Sequence, residues 1–189
     1  LVYGVHPFAA RGIGTHGGLS GLQSRAPLIL SGPGIRSGAV VDEAAALVDI
    51  APTVLASLGA PTTSGRSTLH RYDDGLYLKH QDGRVLTEAW DTSACYRPEH
   101  AVMSIFDGLQ ALEINRQLLS PSPDLQLPNF RRLAQQGTIY RYGALSGFPS
   151  YSAPGHSTVG TGAWPGHHGV LGNRYFHRGL QDVLTPFDL

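Results

Sequence analysis

The segment around Ser152 has the residue types and the spacing of a nucleophile turn. Ser152 stands two residues before Pro154, where a helix is predicted to begin, within the run Phe-Pro-Ser-Tyr-Ser-Ala-Pro-Gly-His-Ser-Thr-Val-Gly-Thr-Gly. The first turn of a helix presents backbone N–H groups and the positive end of the helix dipole, which favour a phosphate or a serine alkoxide. A serine becomes a useful nucleophile only when a base, a metal or such a field lowers its pKa. The segment predicts attack on a phosphorus or sulfur centre; the alternative is a serine that only caps the helix.

The same segment resembles the nucleophile region of the alkaline phosphatase superfamily, and most closely its type I phosphodiesterase / nucleotide pyrophosphatase branch. That branch typically shows Pro-Ser/Thr-x-Thr-x-Pro-Asn/Gly-His, then Thr-Gly, then Pro-x-x-His-Gly-Ile-x-x-Asn. The matching residues are Pro149, Ser152, Pro154, Gly155, His156, Thr161, Gly162, Pro165, His168, Gly169 and Asn173.

The resemblance assigns roles to some of these residues. Ser152 falls at the nucleophile, and Asn173 falls where the family has an asparagine that hydrogen-bonds a phosphoryl oxygen. His156 and His168 are not carried over as metal ligands. We expect His156 to hydrogen-bond within the nucleophile helix and His168 to pack in the following turn.

A second segment places a carboxylate upstream. The apolar run His100-Ala-Val-Met-Ser-Ile-Phe is long enough for a buried strand and too short to indicate a helix, and it ends at Asp107-Gly108. The carboxyl ends of parallel strands are where open α/β sheets build their sites. The resemblance implies that Asp107 binds one of two metals; the alternative is a turn aspartate that ends the strand.

The stretch 127–137 predicts the helix that follows in the family. Pro128 suits an opening position and Gly137 suits a C-terminal stop. Its expected buried stripe consists of Leu127, Phe130, Leu133 and Ala134.

A third set of motifs, from residue 14 to residue 60, resembles the end of the same catalytic domain. His16 lies in Gly14-Thr-His-Gly-Gly and matches the family's last metal-binding histidine. A neutral imidazole beside flexible glycines is a good zinc ligand. Residues 26–30 predict a buried strand.

A helix is predicted after residue 48. Asp49 can cap it, Pro52 suits its first turn and Gly59 suits its end. Its expected apolar face consists of Ile50, Val54, Leu55 and Leu58.

The order of the motifs is the reverse of the family's order. Residues 1–60 resemble the C-terminal part of the catalytic domain, and residues 100–189 resemble the N-terminal part that carries the nucleophile. Residues 61–99 are interpreted as a linker, with a hairpin predicted from 76–80 and 84–88 around Gln81-Asp-Gly83. A circular permutant, a junction of tandem domains and a partial or rearranged chain all explain this order. The expected fold is an α/β/α sandwich, incomplete or permuted.

The resemblance implies zinc-dependent hydrolysis of a phosphoric ester, either a phosphodiester or a phosphomonoester, through a covalent phospho-serine. Two zinc ions are expected, with Asp107, Ser152 and His16 as metal-binding residues. The family's other ligand motifs, an Asp followed by a His and Asp-His-Gly, do not occur in the sequence. A partner chain or a further segment is therefore one source of the remaining ligands. The alternatives are a non-catalytic or partial remnant of such a domain, a sulfatase and a cofactor-independent phosphomutase.

Composition narrows the class of protein and its partners. With 41% hydrophobic and 15% charged residues, the 189-residue chain is globular rather than disordered. A net charge of zero gives no electrostatic footprint for nucleic acid or for an anionic membrane, and no apolar run approaches the length of a membrane span. The expected partner is a small-molecule phosphate ester.

A single cysteine, Cys95, excludes an intrachain disulfide. The compartment stays open, with a lean to the periplasm or to secretion.

Overall fold

The protein is an α/β protein, as predicted, in a computed structural model that describes residues 18, 20–60, 78, 81–94, 97–120 and 126–185. Its strands are β1 (Arg25–Ala26), β2 (Ile29–Ser31), β3 (Ala39–Val41), β4 (Ala45–Ala46), β5 (Gly137–Tyr140), β6 (Ala144–Leu145), β7 (Tyr175–His177) and β8 (Asp182–Leu184). Its α-helices are α1 (Ile50–Ser57), α2 (Ala111–Leu119), α3 (Pro128–Gln135), α4 (Ser152–Thr161) and α5 (Pro165–His168). Single turns of 3₁₀ helix cover Leu47–Asp49 and Thr87–Ala89. No helix in these ranges has the length and apolar character that crossing a membrane would need.

Two successive strands, β5 and β6, are the middle strands of two three-stranded sheets, and we call the two together the central strand. On one side it pairs antiparallel with β2 and β1, and on the other side it pairs parallel with β3 and β4. The parallel side keeps one register, since Ala39 faces Thr138 and Ala45 faces Ala144. The two halves of the chain that carry the motifs therefore pair with each other in both sheets, which we call the sheet layer.

The antiparallel side changes register between its two halves. Ile29 faces Ile139 and Ala26 faces Ala144. Residues 26 and 29 are three positions apart, whereas their partners, residues 144 and 139, are five positions apart. Gly143 takes up this excess at φ 66°, where a Cβ atom would lie 2.3 Å from the carbonyl oxygen of Ala26. Such a backbone conformation and such a close approach favour glycine.

Residues 26–30 were predicted to form one strand, but they contribute to two short strands, β1 and β2. Pro27 and Leu28 separate β1 from β2, because proline has no N–H to give to a ladder. The carbonyl oxygen of Leu28 still accepts from the N–H of Tyr140 at 3.0 Å, so the two short strands remain on the same side of the central strand.

The main core lies beneath this layer. Its fully buried members include Leu86, Ala89, Tyr140 and Ala144, with Leu28, Val41 and Ala45 beside them. Burial raises the pKa of Tyr140, so the phenol is neutral there. At the edge of the core the Arg84 guanidinium lies 2.7 Å from the Glu88 carboxylate, and this hydrogen bond lowers the pKa of Glu88.

Helix α1 has the predicted boundaries. Pro52 lies in its first turn and is fully buried, and Gly59 follows its end at φ 75°. The buried face differs from the prediction: Ala51, Pro52 and Thr53 are the buried residues, whereas the predicted apolar face is only half-buried. The first turn faces α4 and the core, which explains why small residues lie there.

Asp49 occupies the cap position of α1 but does not cap it, which corrects the prediction. Its carboxylate accepts backward from the N–H of Ala46 at 2.8 Å and across the core from the N–H of Arg84 at 2.9 Å. The helix is preceded directly by the Leu47–Asp49 turn, so the carboxylate serves that turn instead. Thr53 adds a second link, since its hydroxyl accepts from the N–H of Leu86 at 2.9 Å.

Helix α3 begins at Pro128 and ends before Gly137, as predicted. Its buried stripe is corrected in two ways. Leu127, Phe130 and Ala134 are only half-buried, and Leu133 is exposed. Residue 133 lies about 100° from residue 134 around the helix, so Arg131 rather than Leu133 shares the inward face.

The strand predicted for residues 100–106 is wrong. These residues have no regular secondary structure, and Val102, Met103, Ile105 and Phe106 are exposed. A buried strand needs hydrogen-bonding neighbours at its edges and packing on its faces, and no strand among the described residues pairs with this run. Asp107 instead begins a turn that leads into α2.

The predicted hairpin is also wrong in its second arm, while most of its first arm lies outside the described residues. Residues 84–86 are irregular and Thr87–Ala89 form a 3₁₀ turn. The backbone hydrogen bonds of this segment go elsewhere: the N–H groups of Asp82 and Gly83 donate to Gly162, and that of Arg84 donates to Asp49.

Asn115 joins α2 to the central strand. Its amide nitrogen donates to the carbonyl oxygens of Tyr140 and Arg141, both at 2.8 Å, and the residue is 2% exposed. These carbonyls lie where the antiparallel register changes. The amide therefore supplies hydrogen bonds at a point where the ladder is interrupted.

We predict that Asn115→Ala lowers the free energy of unfolding by about 1–3 kcal/mol, because the buried carbonyl of Arg141 loses a donor. The loss is moderated at Tyr140, whose carbonyl also accepts from Gly143. Urea denaturation measures the change. Asn129→Ala, at an exposed position on α3, is the control and should change stability by less than about 0.5 kcal/mol. Equal effects of the two substitutions would contradict this role for Asn115.

Candidate functional site

Ser152 and Asp107 are brought together from distant positions in the chain. The Ser152 hydroxyl donates to Oδ2 of Asp107 over 2.6 Å. This distance is typical of a hydroxyl bonded to an ionised carboxylate. The structure thus brings together two of the residues that the sequence singled out, although the strand expected to carry Asp107 is not formed.

The local sequence explains why α4 begins at Ser152. Tyr151 is the extended residue before the helix, and Pro154 lies in its first turn, where a missing N–H costs nothing. Ser152 is the first helical residue rather than the cap, and its hydroxyl bonds Asp107 instead of the helix N–H groups. Ser152 therefore does not cap the helix, and that alternative is wrong.

Asn173 lies at the same helix terminus. Its Oδ1 accepts from the N–H of Ala153 at 2.9 Å. Since an N–H needs an acceptor, the oxygen of the carboxamide faces the helix, and the NH₂ group is the donor that Asn173 offers to a ligand. Asn173, the residue expected to bind a phosphoryl oxygen, is thus bonded to the N–H that follows Ser152.

The far end of α4 is fixed by residues 47–57 and by Asp82 and Gly83. Gly162 ends the helix at φ 66°, and a Cβ atom there would lie 3.1 Å from Pro52 and 3.3 Å from the carbonyl oxygen of Val48. Its own carbonyl accepts from the N–H groups of Asp82 and Gly83 at 2.8 and 3.1 Å. Helix α4 also packs against Leu47–Asp49 and α1, so its orientation depends on residues remote in sequence.

His168 ties α5 back to α4 in a single tautomer. The N–H of Val170 donates to Nδ1 of His168 at 3.1 Å, which leaves the ring proton on Nε2. Nε2 lies 3.1 Å from the hydroxyl of Thr158, a fully buried residue of α4, and donates to it. Burial lowers the pKa of His168. The neutral ring packs in the turn after the nucleophile helix, as expected.

His156 differs from expectation. It is exposed on α4, and no hydrogen bond from its ring to the rest of that helix is found within the described ranges. Position 156 lies on the outer side of α4, away from the buried Pro154, Thr158 and Val159. The ring therefore faces the open space next to Ser152.

Asp82 stabilises the segment after α4, and the sequence analysis did not identify it. Its Oδ2 accepts from the N–H of Trp164 at 2.7 Å and lies 2.8 Å from Nδ1 of His167. A carboxylate at the start of α5 complements the helix dipole. The neighbours of Asp82 match no ligand motif, and 82 positions separate it from Trp164; only the tertiary fold reveals the contact.

Only two of the three expected metal-binding residues, Asp107 and Ser152, are among the described residues. His16 lies outside the described residues. Within them, no group of three or more histidine, cysteine, aspartate or glutamate side chains could hold a metal ion. Asp107 and Ser152 supply one carboxylate and one hydroxyl, whereas a catalytic zinc ion usually has about three protein ligands. The described residues alone therefore do not complete a zinc site.

A cavity of about 600 Å³ opens beside the pair. Asp107, Ser152 and His156 line it, together with residues from the start of α2 and from the 22–26 segment. Most of the lining is apolar. Sequence reasoning gave no indication of this cavity, because its walls come from four separate stretches of chain.

Comparison with known families matches one part of the chain. Residues 102–188 match the model of a family described as type I phosphodiesterase / nucleotide pyrophosphatase. The match covers Asp107, Ser152 and Asn173 and confirms the resemblance for that segment. Searches of curated proteins and of solved structures found no match.

The neutral state of His168 predicts a pH effect on stability. Because the folded pKa lies below the ordinary value of 6.5, the unfolded chain takes up a proton first as the pH falls. Stability is then present above pH 6.5 and is lost as the pH falls from there through the folded pKa.

Urea denaturation at about pH 7.5 and about pH 5.5 measures this loss. His168→Gln, which cannot titrate, should lose less stability across this interval than the wild-type protein. His177→Gln leaves His168 in place and should behave like the wild type. If His168→Gln kept the full pH dependence, the titration of His168 would not be its cause.

Proposed function

We propose that the protein hydrolyses a phosphoric ester through Ser152, because residues 102–188 match the model of the type I phosphodiesterase / nucleotide pyrophosphatase family. The observation that carries the proposal is the position of Ser152 at the first residue of α4, with its hydroxyl 2.6 Å from Asp107. No other described serine combines a helix start with a carboxylate partner at this distance.

Asp107 acts by orientation. Its carboxylate accepts the Ser152 proton in a short hydrogen bond, which directs a lone pair of Oγ away from Asp107 and towards a phosphorus atom in the cavity. A carboxylate is a far weaker base than a serine alkoxide, so it does not remove the serine proton fully at neutral pH. Asp107 therefore positions the nucleophile, and a further source of positive charge must favour the alkoxide.

The helix terminus supplies only part of that charge. A helix dipole stabilises a nearby anion by about 0.3–1 kcal/mol at an exposed site, which is less than one pKa unit. A bound zinc ion can lower the pKa of a coordinated water from 15.7 to about 7. The magnitudes favour a metal, and we propose zinc, with Asp107, Ser152 and His16 among its ligands.

Zinc bound there would supply the positive charge that lowers the pKa of an oxygen nucleophile. The remaining ligands are proposed to come from outside the described residues or from a partner chain. The proposal is supported by the contact between Asp107 and Ser152 and by the match of their segment to the family.

Asn173 stabilises charge on the phosphoryl oxygens. The NH₂ group of Asn173 donates to one oxygen while its Oδ1 stays on the N–H of Ala153. This bond holds the carboxamide in place before a substrate arrives, and such preorganisation is what makes hydrogen-bond donors effective in a transition state.

The reaction proceeds in two displacements. In the first, a bond forms between Oγ of Ser152 and phosphorus while the hydroxyl proton of Ser152 passes to water. The bond from phosphorus to the leaving oxygen breaks, and that oxygen takes up a proton from water. In the second, a water oxygen bonds to phosphorus and the Ser152 oxygen leaves with a proton. The products are an alcohol or phenol and a phosphate.

We predict that Ser152→Ala lowers kcat by at least roughly a thousandfold, because removal of a nucleophile leaves only binding and charge stabilisation. Release of p-nitrophenol from bis(p-nitrophenyl) phosphate and from p-nitrophenyl phosphate measures the rate. Ser157→Ala, on the same helix, is the matched control and should retain activity. Turnover of Ser152→Ala at the wild-type rate would sink the nucleophile assignment.

We also predict that Asp107→Asn weakens zinc binding by at least about tenfold, since even residues that only orient metal ligands cost tenfold or more when removed. Elemental mass spectrometry after dialysis against a fixed zinc concentration measures zinc per chain. Asp91→Asn, which removes an exposed carboxylate bonded to Ser93, is the control. Equal zinc content in Asp107→Asn and the wild type, or none in either, would contradict the metal assignment.

A further inference from the structure

The cavity beside Ser152 is much larger than a phosphoryl group requires. Its volume is about 600 Å³, which is within the range of sites that enclose a small organic ligand. Ser152 and Asp107 lie in its wall rather than apart from it. A substrate placed for attack by Ser152 therefore extends its organic part into this space.

The walls are predominantly apolar. The apolar side chains that line the cavity include Leu22, Leu47, Phe106, Leu112, Tyr151 and Val159. Val159 is buried, whereas Leu22, Phe106, Leu112 and Tyr151 each expose more than 40% of their surface. Apolar side chains that stay accessible around a concave site with a few polar groups are typical of ligand binding.

The charges of the cavity cancel. Arg25 and Arg116 are balanced by Asp107 and Glu113. The Arg116 guanidinium already lies 2.8 Å from Glu113, and Arg25 donates to the carbonyl oxygen of Tyr142 at 3.4 Å. A polyphosphate chain needs surplus positive charge from such side chains, and the lining does not offer it.

We propose that this cavity binds an uncharged, apolar ester group of a phosphodiester, aryl or alkyl, while Ser152 attacks the phosphorus. The proposal rests on the proposed hydrolase function and defines its substrate class. The group bound in the cavity is the ester that phosphorus retains, because it must stay in place through both displacements. Tyr151 and Phe106 provide aromatic surface for it next to the nucleophile.

Binding tests the proposal without requiring turnover. Isothermal titration calorimetry of the full chain compares diphenyl phosphate with dimethyl phosphate, which carry the same charge and differ in apolar area. We expect diphenyl phosphate to bind at least about ten times more tightly. Leu112→Ala should lower the affinity for diphenyl phosphate about three- to tenfold and leave the affinity for dimethyl phosphate unchanged. Circular dichroism checks that the variant is folded.

Leu180→Ala is the matched control. Leu180 is an exposed leucine between β7 and β8 that does not line the cavity, and its replacement should change neither affinity. Equal affinities for the two phosphates, or an equal loss of both in Leu112→Ala, would overturn the proposal. Failure of both phosphates to bind would also overturn it, and would be the result if another polypeptide segment fills the cavity.

Hydrolysis measured in parallel separates this proposal from the function it rests on. Phenyl p-nitrophenyl phosphate and methyl p-nitrophenyl phosphate share a leaving group and differ in the retained ester. If diphenyl phosphate binds preferentially but neither ester is hydrolysed, the cavity assignment stands and the hydrolase function fails. If both are hydrolysed with equal kcat/KM, the function stands and the cavity assignment fails.

Discussion

Hydrogen bonding along both sides of the central strand, which consists of β5 and β6, is the constraint on which the described fold depends. One side pairs antiparallel with residues 25–31 and the other pairs parallel with residues 39–46. Tyr140 and Ile139, in the middle of the strand, are almost completely buried. Without this strand the segments that precede it in sequence would have no common partner, and the core around Leu86 and Ala89 would be open to solvent.

The site inherits its geometry from that layer. The chain leaves the central strand at Leu145 and reaches Ser152 within seven residues, so α4 begins close to the sheet. Its other end is held by Gly162 against Val48 and Pro52 and by the N–H groups of Asp82 and Gly83. Asn115 fixes α2 to the strand where the register changes, and Asp107 lies just before α2. The contact between Ser152 and Asp107 is thus determined by two helices anchored to one strand.

Local signals in the sequence predicted what depends on local chemistry. Proline and glycine gave the ends of α1 and α3, and the spacing of Ser152 and Pro154 gave the start of α4. The predictions that failed depended on distant partners. The apolar run before Asp107 has the composition of a buried strand but lacks a neighbouring strand in the described chain. Residues 84–88 have the pattern of a hairpin arm, but Asp49 and Gly162 bind the backbone of this segment.

The candidate site shows the same division. The motif identified Ser152, Asp107 and Asn173, because their types and spacing are properties of the sequence itself. It could not indicate that Asn173 bonds the N–H of Ala153, or that Asp82 bonds Trp164 and His167, because these contacts join segments 20 or more residues apart. The cavity, with walls from four stretches, was equally beyond local patterns.

The electrostatics of the pair impose a last requirement on any chemistry at Ser152. A negative carboxylate 2.6 Å from the hydroxyl stabilises the protonated serine and disfavours the alkoxide. The helix terminus acts in the opposite direction but by only about 1 kcal/mol or less. The arginines of the cavity lie against Glu113 and Tyr142 rather than against Ser152. A cation bound to Asp107 would reverse the sign of its influence, since the carboxylate would then hold positive charge next to the nucleophile. Under the proposed function, the arrangement supports catalysis only when Asp107 holds a cation, and we therefore expect zinc binding and the reactivity of Ser152 to succeed or fail together.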